Sequence, residues 1–355
     1  MEEPTTIRWG ILGCGDVCEV KSGPGFQDAE GSALTMVMRR TPLMAEEFAT
    51  RHGVPNWTGH PDDLIEDENV DAVYIATPPG THCEYALKVA AVGKPCYVEK
   101  PMARSGAECD RMVKAFADAG VPLFVAYYRR GLPRFLKAKE LIDGGALGEI
   151  REINYQMQQD ANPDRDPGWR VQAEHSGGGL FLDLGSHTLD ILDFLLGPLL
   201  KAEGEAKNLE GAYDVEDCVS LSFTTENGVR GNAAWNFTSI DQPGLVPWEF
   251  DGTKHADLIT FTGERGKLLL STFGNEPVRL QTDSGEKTFD LPNPKTVHGP
   301  LIQTIVDALH GKGSCPSTGE NAARTSHVMD IALHDYYSGR GDEFWLRSET
   351  WPGRK

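Results

Sequence analysis

Basic residues are scarce in this chain and aromatic ones scarcer, and no long apolar run occurs anywhere in it. Its 355 residues carry 34 Lys and Arg against 53 Asp and Glu, a net charge of −19. A field of that sign repels nucleic-acid phosphates and anionic lipid headgroups, so neither is expected as a partner. The longest apolar stretch, Phe194–Leu200, is interrupted by Gly197-Pro198 and is far too short to cross a bilayer. Met1-Glu2-Glu3-Pro4 offers neither a basic region nor an apolar run, so no secretory leader is expected. The seven cysteines are scattered, and no C-x-x-C spacing occurs. Free buried thiols in a reducing cytoplasm explain them better than disulfides or a structural zinc, and no metal site is expected. A small polar substrate suits the acidic balance, and the length suits two domains of ordinary size.

Glycine is plentiful, and its first informative use comes early. Thr6–Leu12 reads as a buried strand that runs into Gly13-Cys14-Gly15-Asp16-Val17-Cys18. This is a G-x-G-x-x-small pattern, with cysteine where Gly or Ala is usual. The first glycine permits a tight turn and the second lets backbone N–H groups approach a pyrophosphate. Gly13, Gly15, Asp16 and Val17 are therefore candidate cofactor contacts, and Cys14 and Cys18 count as small apolar residues. After the second strand, Ala33–Met38, the acidic ribose ligand of NAD sites is replaced by Arg39-Arg40-Thr41. Two guanidinium groups suit a 2′-phosphate, which favours NADP(H) and leaves NAD(H) possible. The competing reading is two ordinary exposed arginines.

Pro42 opens a helix, Leu43–His52, expected to turn Leu43 and Phe48 inward. A weak strand near Trp57 and a short helix from Pro61 precede the strand Val70–Ala76. The loop Thr77-Pro78-Pro79-Gly80-Thr81-His82 follows, at the sheet edge that holds Gly13. It is expected to line the nicotinamide ribose, with His82 capping the next helix (Glu84–Val92). A fifth strand ends at Val98-Glu99-Lys100-Pro101. Alone, Glu-Lys-Pro reads as a solvated turn. At the carboxyl edge of a parallel sheet it lies where open α/β folds bind ligands, and Lys100 becomes a candidate proton-exchanging group. Ser105–Glu108 has capping-box spacing for a helix to Ala119, and Val121–Ala126 supplies a sixth strand. The alternation predicts a doubly wound parallel sheet over residues 1–126.

From residue 127 onward the pattern changes. A connecting helix, Pro133–Asp143, leads to period-two runs at Glu149–Gln158, Asp217–Thr225, Gly228–Phe237, Leu258–Thr262, Lys267–Ser271 and Val278–Gln281. Turn signals between them predict a large, mostly antiparallel sheet, with late helices at Leu301–Leu309 and Ala322–Tyr337. Residues 127–355 are read as one α/β substrate-binding and oligomerisation domain. Within it, Asp183, His187 and Asp190 fall on one face of a helix starting near Asp183. A carboxylate one turn from an imidazole fixes its tautomer; a helix N-cap at Asp183 with a polar stripe fits the same spacing.

Taken together, Gly13-x-Gly15, Thr77-Pro78 with His82, Glu99-Lys100-Pro101 and Gly177-Gly178-Gly179-x-x-x-Asp183-x-Gly185-x-His187-x-x-Asp190 resemble one family across nearly the whole chain. It is the glucose–fructose oxidoreductase / inositol dehydrogenase / rhizopine-catabolism (Gfo/Idh/MocA) family. The resemblance implies an N-terminal Rossmann domain and a C-terminal domain whose open sheet forms a homodimer or homotetramer. It implies reversible NAD(P)-dependent oxidation of a sugar, polyol or cyclitol hydroxyl. Lys100 and His187 would share the acid/base work, Asp183 would position substrate, and the Lys100-Pro101 bond is often cis. Thr77, Pro78, His82 and Glu99 join the cofactor set. Tyr128, Arg129, Trp169 and Arg170 are read as a substrate rim, with a ring stacked on an aromatic face and hydroxyls or a carboxylate held by arginine. Three alternatives stay open: an NAD-dependent glycosidase acting by transient oxidation, a dihydrodiol-type dehydrogenase, and a non-catalytic nucleotide sensor.

Overall fold

The computed structural model describes residues 6–160, 166–240, 245–250, 252–341 and 343–354; the N-terminal Met1–Pro4 stretch lies outside them. The chain divides into two compact units. The first comprises Met1–Ala103, Glu108–Leu132 and Asn293–Ala323; the second comprises Arg104–Ala107, Pro133–Pro292 and Arg324–Lys355.

The elements follow in chain order. β1 (Ile7–Leu12), α1 (Gly23–Asp28), β2 (Ser32–Met38), α2 (Pro42–His52), β3 (Asn56–Thr58) and α3 (Pro61–Glu66) come first. Next are β4 (Ala72–Ile75), α4 (His82–Ala91), β5 (Cys96–Val98), α5 (Gly106–Ala119) and β6 (Leu123–Val125). α6 (Pro133–Asp143), β7 (Ile150–Gln159), α7 (Ala173–Ser176) and α8 (Ser186–Leu196) lead into the second sheet. That sheet adds β8 (Leu199–Lys207), β9 (Cys218–Thr225), β10 (Arg230–Asn236), β11 (Trp248–Phe250) and β12 (Thr253–Gly263). β13 (Gly266–Leu270), β14 (Val278–Thr282), β15 (Gly285–Phe289), α9 (Gly299–Leu309) and α10 (Gly319–Leu333) complete the chain.

In the first unit six strands pair in the order β3-β2-β1-β4-β5-β6, all parallel. The order reverses between β1 and β4, the switch point at which such sheets open a crevice beyond the strand carboxyl ends. Strands buried on both faces must be apolar throughout, and all four residues of β4 are buried. α2 begins with Pro42 and ends at Gly53, whose φ of 65° is left-handed. Its inner face is Ala45, Phe48 and Ala49, spaced i, i+3, i+4. Leu43 is 63% exposed, against expectation, because five residues from Phe48 place it well round the helix.

Residues 127–355 do not form a single unit. The segment 293–323 returns to the first because α9 presents Leu301, Ile302, Ile305 and Val306, all fully buried, to a core with Trp9, Phe26, Val37, Tyr74 and Tyr97. Residues 127–132 join it as well, since the turn Tyr128–Gly131 packs against α9.

The second unit is built on nine strands. Eight run in the order β15-β14-β13-β12-β7-β10-β9-β8, and β11 pairs with β12. All pairs are antiparallel except β7 with β10. Three strands escape period-two reading. β8 and β15 are the polar outer strands, where charge protects an open edge, and β11 is only three residues long. The mostly antiparallel α/β architecture is as expected.

Truncating α9's buried face tests its place in the first core. Ile302→Ala is expected to cost about 2–5 kcal/mol of stability, read as a lowered denaturant midpoint of the first transition. A loss below about 1 kcal/mol would place α9 outside that core.

Candidate functional site

The first unit gathers its polar residues where its strands end. Gly13 follows β1 with φ 87°, and a Cβ there would lie 2.7 Å from Thr77 Cγ2, so only glycine lets the two loops touch. Gly15 has no side-chain neighbour within that range and leaves its backbone open to a ligand. Asp16 is exposed and Val17 half-buried at the helix start. The helix then widens into a π-turn, Cys18–Ser22, closed by the Gly23 N–H on the Cys18 carbonyl. π-turns often mark functional segments. Both thiols of the loop are buried, and burial pushes Cys14 up to about 11, so it acts as apolar packing rather than as a nucleophile.

Arg39 and Arg40 follow β2, half-buried and exposed respectively. No hydrogen bond or ion pair of either side chain is found among the described residues. Two unengaged guanidinium groups beside the fingerprint fit a nucleotide's anionic end. Nearby, Glu19 of the π-turn accepts both Arg51 amines at 2.6 Å and lies 2.8 Å from His52 Nε2. The pair ties the fingerprint helix to the end of α2.

His82 does not cap α4. Its ring is fully buried, with Nε2 2.7 Å from the Thr77 carbonyl and Nδ1 3.2 Å from those of Pro101 and Met102. It lies between the loop after β4 and the loop after β5 and contacts the backbone of both. Thr77 is half-buried and hydrogen-bonded to Thr81 at 2.8 Å; Pro78 is exposed. Burial lowers His82 below the usual histidine range, while the carbonyls of Thr77, Met102 and Pro101 work against it by favouring the protonated ring.

Lys100 is half-buried at the end of β5, and its bond to Pro101 is cis. Glu99 is buried: Oε1 accepts from Tyr74 Oη at 2.5 Å and Oε2 from the Lys100 N–H at 3.0 Å. Burial pushes its carboxyl up despite that hydrogen bond and the charge of Lys100. Tyr128 and Arg129 belong to this same unit, with the Arg129 guanidinium 4.9 Å from the Tyr128 ring centroid. Arg129 is only 7% exposed, so it is a buried cation rather than a rim residue. Tyr128 stacks on His298, ring centroids 4.5 Å apart, a residue with no motif to announce it.

The second unit holds the other cluster. Arg170 Nε lies 3.0 Å from Asp183 Oδ2, and its guanidinium sits 4.7 Å from the Trp169 ring centroid. Asp183 lies inside a π-turn, Phe181–Gly185, and N-caps no helix. That widened turn breaks the expected single helical face, and only His187 and Asp190 sit on α8 proper. His187 is buried and edge-on to Phe273 at 5.7 Å.

Ahead of this turn, Gly177, Gly178 and Gly179 are clamped. Arg340 donates to the Gly177 carbonyl and the Arg104 carbonyl, both at 2.7 Å, and pairs with Asp330. Glu216 accepts the Gly179 N–H at 2.8 Å and the Tyr337 hydroxyl. A Cβ on Gly179 would sit 2.3 Å from the Glu216 carbonyl oxygen, so the run has no room for side chains. Sequence reading passed over Arg340 and Glu216. Their one signal is a charged residue placed between glycines or beside an apolar strand. Among the described residues no cluster with metal-ligand composition occurs, and no helix is long and apolar enough to cross a membrane.

Residues 7–127 match the model of an oxidoreductase family with an NAD-binding Rossmann fold, and residues 135–268 match the GFO/IDH/MocA C-terminal domain. Oxidoreductase P35 of Formosa agariphila is 36% identical over 330 residues, spanning 92% of this chain and 98% of that protein. The chain belongs to the Gfo/Idh/MocA oxidoreductase family. Within it, levoglucosan dehydrogenase of Pseudarthrobacter phenanthrenivorans is 29% identical over 266 residues, 68% of each chain. The solved levoglucosan dehydrogenase complex with NADH and levoglucosan superposes with a TM-score of 0.79. It is 22% identical over 93% of this Gfo/Idh/MocA chain and 97% of that structure, a likeness of fold.

The Glu19 link sets a pH dependence for the fingerprint helix. Hydrogen bonds from Arg51, then His52, hold the Glu19 carboxyl down to about 2 against burial, from an ordinary 4.5. A depressed carboxylate stabilises the fold above its unfolded pKa and loses that contribution as pH falls through the folded one. The stability advantage of wild type over Glu19→Gln is therefore expected to be full above about 4.5 and to vanish toward about 2. Paired thermal melts across that window check it; a pH-independent difference would remove the ionic link.

Proposed function

We propose that this chain is an NADP(H)-preferring dehydrogenase or reductase acting on a hydroxyl or carbonyl of a sugar, polyol or cyclitol. Bound at the Gly13–Gly15 loop, the nicotinamide dinucleotide supplies the ring that accepts or returns the hydride. Lys100 is the proposed proton-exchanging group: in oxidation a neutral Nζ takes the substrate's hydroxyl proton, and in reduction the ammonium gives it back. His187 is the second acid/base group, and Asp183, held by Arg170, orients substrate hydroxyls. Trp169 offers a face for the apolar side of a ring, with the Arg170 guanidinium beside it.

The observation that carries this reading is the convergence at one sheet edge. Gly13 meets Thr77, His82 binds Thr77 to Pro101, and Lys100 therefore stands on the loop fastened to the fingerprint. A relative that acts on levoglucosan supports the substrate class. The solved levoglucosan dehydrogenase is a complex with NADH, so preference for the 2′-phosphate rests here on Arg39 and Arg40 alone.

Calorimetric titration with each nucleotide tests the preference. Arg39→Ala is expected to weaken NADP⁺ about 10-fold to 100-fold, the worth of one charge-assisted hydrogen bond, and to leave NAD⁺ unaffected. Tighter NAD⁺ binding by wild type would reverse the assignment. Nucleotide that survives dialysis, with substrate consumed at constant nicotinamide absorbance, would favour transient oxidation as in a glycosidase.

Turnover tests the chemistry separately. On a substrate found by a sugar and polyol screen, Lys100→Met is expected to lower kcat about 10²-fold to 10⁴-fold. The His187→Ala loss is expected to be smaller than that of Lys100→Met. Undiminished kcat in Lys100→Met would remove Lys100 from proton exchange.

A further inference from the structure

His298 lies far from every motif, yet the first unit encloses it completely. It caps the N-terminus of α9, where its carbonyl accepts the Ile302 N–H at 2.9 Å, and α9 is anchored in the core. Its backbone is thereby fixed, and its ring is 1% exposed. One face stacks on Tyr128 at 4.5 Å with 27° between planes. Nε2 lies 3.8 Å from Glu99 Oε1, and Nδ1 lies 3.5 Å from Tyr97 Oη.

The groups facing this ring are Tyr97 with Glu99 and Lys100 from β5 and its end, Tyr128 and Arg129 from the turn after β6, and Lys21 from the π-turn; Tyr74 of β4 holds the Glu99 carboxyl. Burial, and then Lys21, Lys100 and Arg129, bring the imidazole down to about 3, so it is uncharged throughout the working range. A neutral ring has one N–H and one lone pair. Tyr97, whose phenol burial keeps protonated, can donate to Nδ1 3.5 Å away, and the ring proton then belongs on Nε2, the nitrogen 3.8 Å from Glu99 Oε1.

The opposite sides of this arrangement matter for chemistry. Glu99, between Tyr74 and the Lys100 N–H, fixes the backbone from which Lys100 projects. Tyr128 lies in a field of three cations: burial pushes its phenol up, but Arg129, Lys21 and Lys100 outweigh burial and leave it below the usual tyrosine range. A phenol in that field is sensitive to small displacements, since charge–charge terms fall with distance.

We infer that His298 is a positioning residue of the oxidoreductase site: wedged between Tyr128 and Glu99, its ring fixes the phenol directly and the Lys100 backbone through Glu99. This rests on the assignment of Lys100 to proton exchange. His298 touches neither substrate nor hydride; it determines where the groups that do so stand.

Three variants separate the two contacts. His298→Phe keeps a ring under Tyr128 but no polar edge, His298→Gln keeps an N–H within reach of Glu99, and His298→Ala keeps neither. His298→Ala is expected to lower kcat about 10-fold to 100-fold, as a misplaced catalytic group does, with nucleotide affinity retained. His298→Gln is expected to recover more of kcat than His298→Phe. Titration of the Tyr128 phenol, isolated as the absorbance difference from Tyr128→Phe, is expected to move toward the ordinary tyrosine range in His298→Ala and to stay put in His298→Phe.

An unchanged kcat and an unchanged Tyr128 titration in His298→Ala would overturn the inference. So would a loss confined to melting temperature, with normal kcat per folded molecule. If Lys100→Met retains turnover, the proton-exchange reading fails on its own account. The Tyr128 titration in His298→Ala then still decides whether His298 holds the phenol.

Discussion

The first unit depends on a buried imidazole that has nothing but carbonyl oxygens around its nitrogens. Parallel strands deliver their loops to one edge but do not fix those loops to each other. His82 does so, reaching from the start of α4 to Thr77 on one side and to Pro101 and Met102 on the other. Gly13 then closes against Thr77 because it has no Cβ to prevent it. Three loops from three strands meet at one border, and Lys100 stands on it as a half-buried cation. A side chain at Gly13 or loss of the His82 ring would separate loops that cofactor chemistry needs to sub-ångström tolerance.

The second unit reaches a comparable end by other means. Its turn at Phe181–Gly185, which carries Asp183, is widened rather than regular, and a widened helical turn is held by its surroundings. Arg340 supplies two donors to backbone carbonyls, and Glu216 supplies an acceptor to a backbone N–H. Both are buried, and a buried charge is tolerable only when its hydrogen bonds are met. Glu216 meets that condition through Gly179 and Tyr337, and burial still drives its carboxyl pKa upward. The polar clamp therefore selects one backbone path for the glycine run. A purely apolar contact would not discriminate between paths so sharply.

What sequence reading recovered follows from where the information is local. Alternating strands and helices, the glycine fingerprint and the Glu99-Lys100-Pro101 strand end are readable because each is a short pattern with a physical reason. The helix Pro133–Asp143 is matched residue for residue, since Pro opens it and a Gly pair follows its end. What was missed is long-range. α9 is an ordinary amphipathic helix in sequence, and nothing local says that it returns to the first core. His298, Arg340 and Glu216 are single residues whose partners lie far along the chain. Asp183 was read on an ideal helical wheel, and one extra residue in a π-turn was enough to spoil the angle. His82 illustrates the same limit: its position suggested a cap, and only the loop after β5 shows what the ring binds.

The net charge of −19 and the proposed anionic cofactor are reconciled by where the cations stand. Lys21 comes after β1, Arg39 and Arg40 after β2, Lys100 after β5 and Arg129 after β6. Each follows the carboxyl end of a parallel strand, so one edge of the first sheet collects five positive groups, while Glu99 there is buried and drawn toward its neutral form. Screening confines the effect of distant surface carboxylates to roughly 8–10 Å, so a ligand at that edge responds to the local cations and not to the total. The acidic remainder disfavours phosphate polymers, while a small dinucleotide responds to the cations near it. Composition alone argued only against large polyanions; sheet topology brings these cations to one edge, where the proposed small anion would meet them.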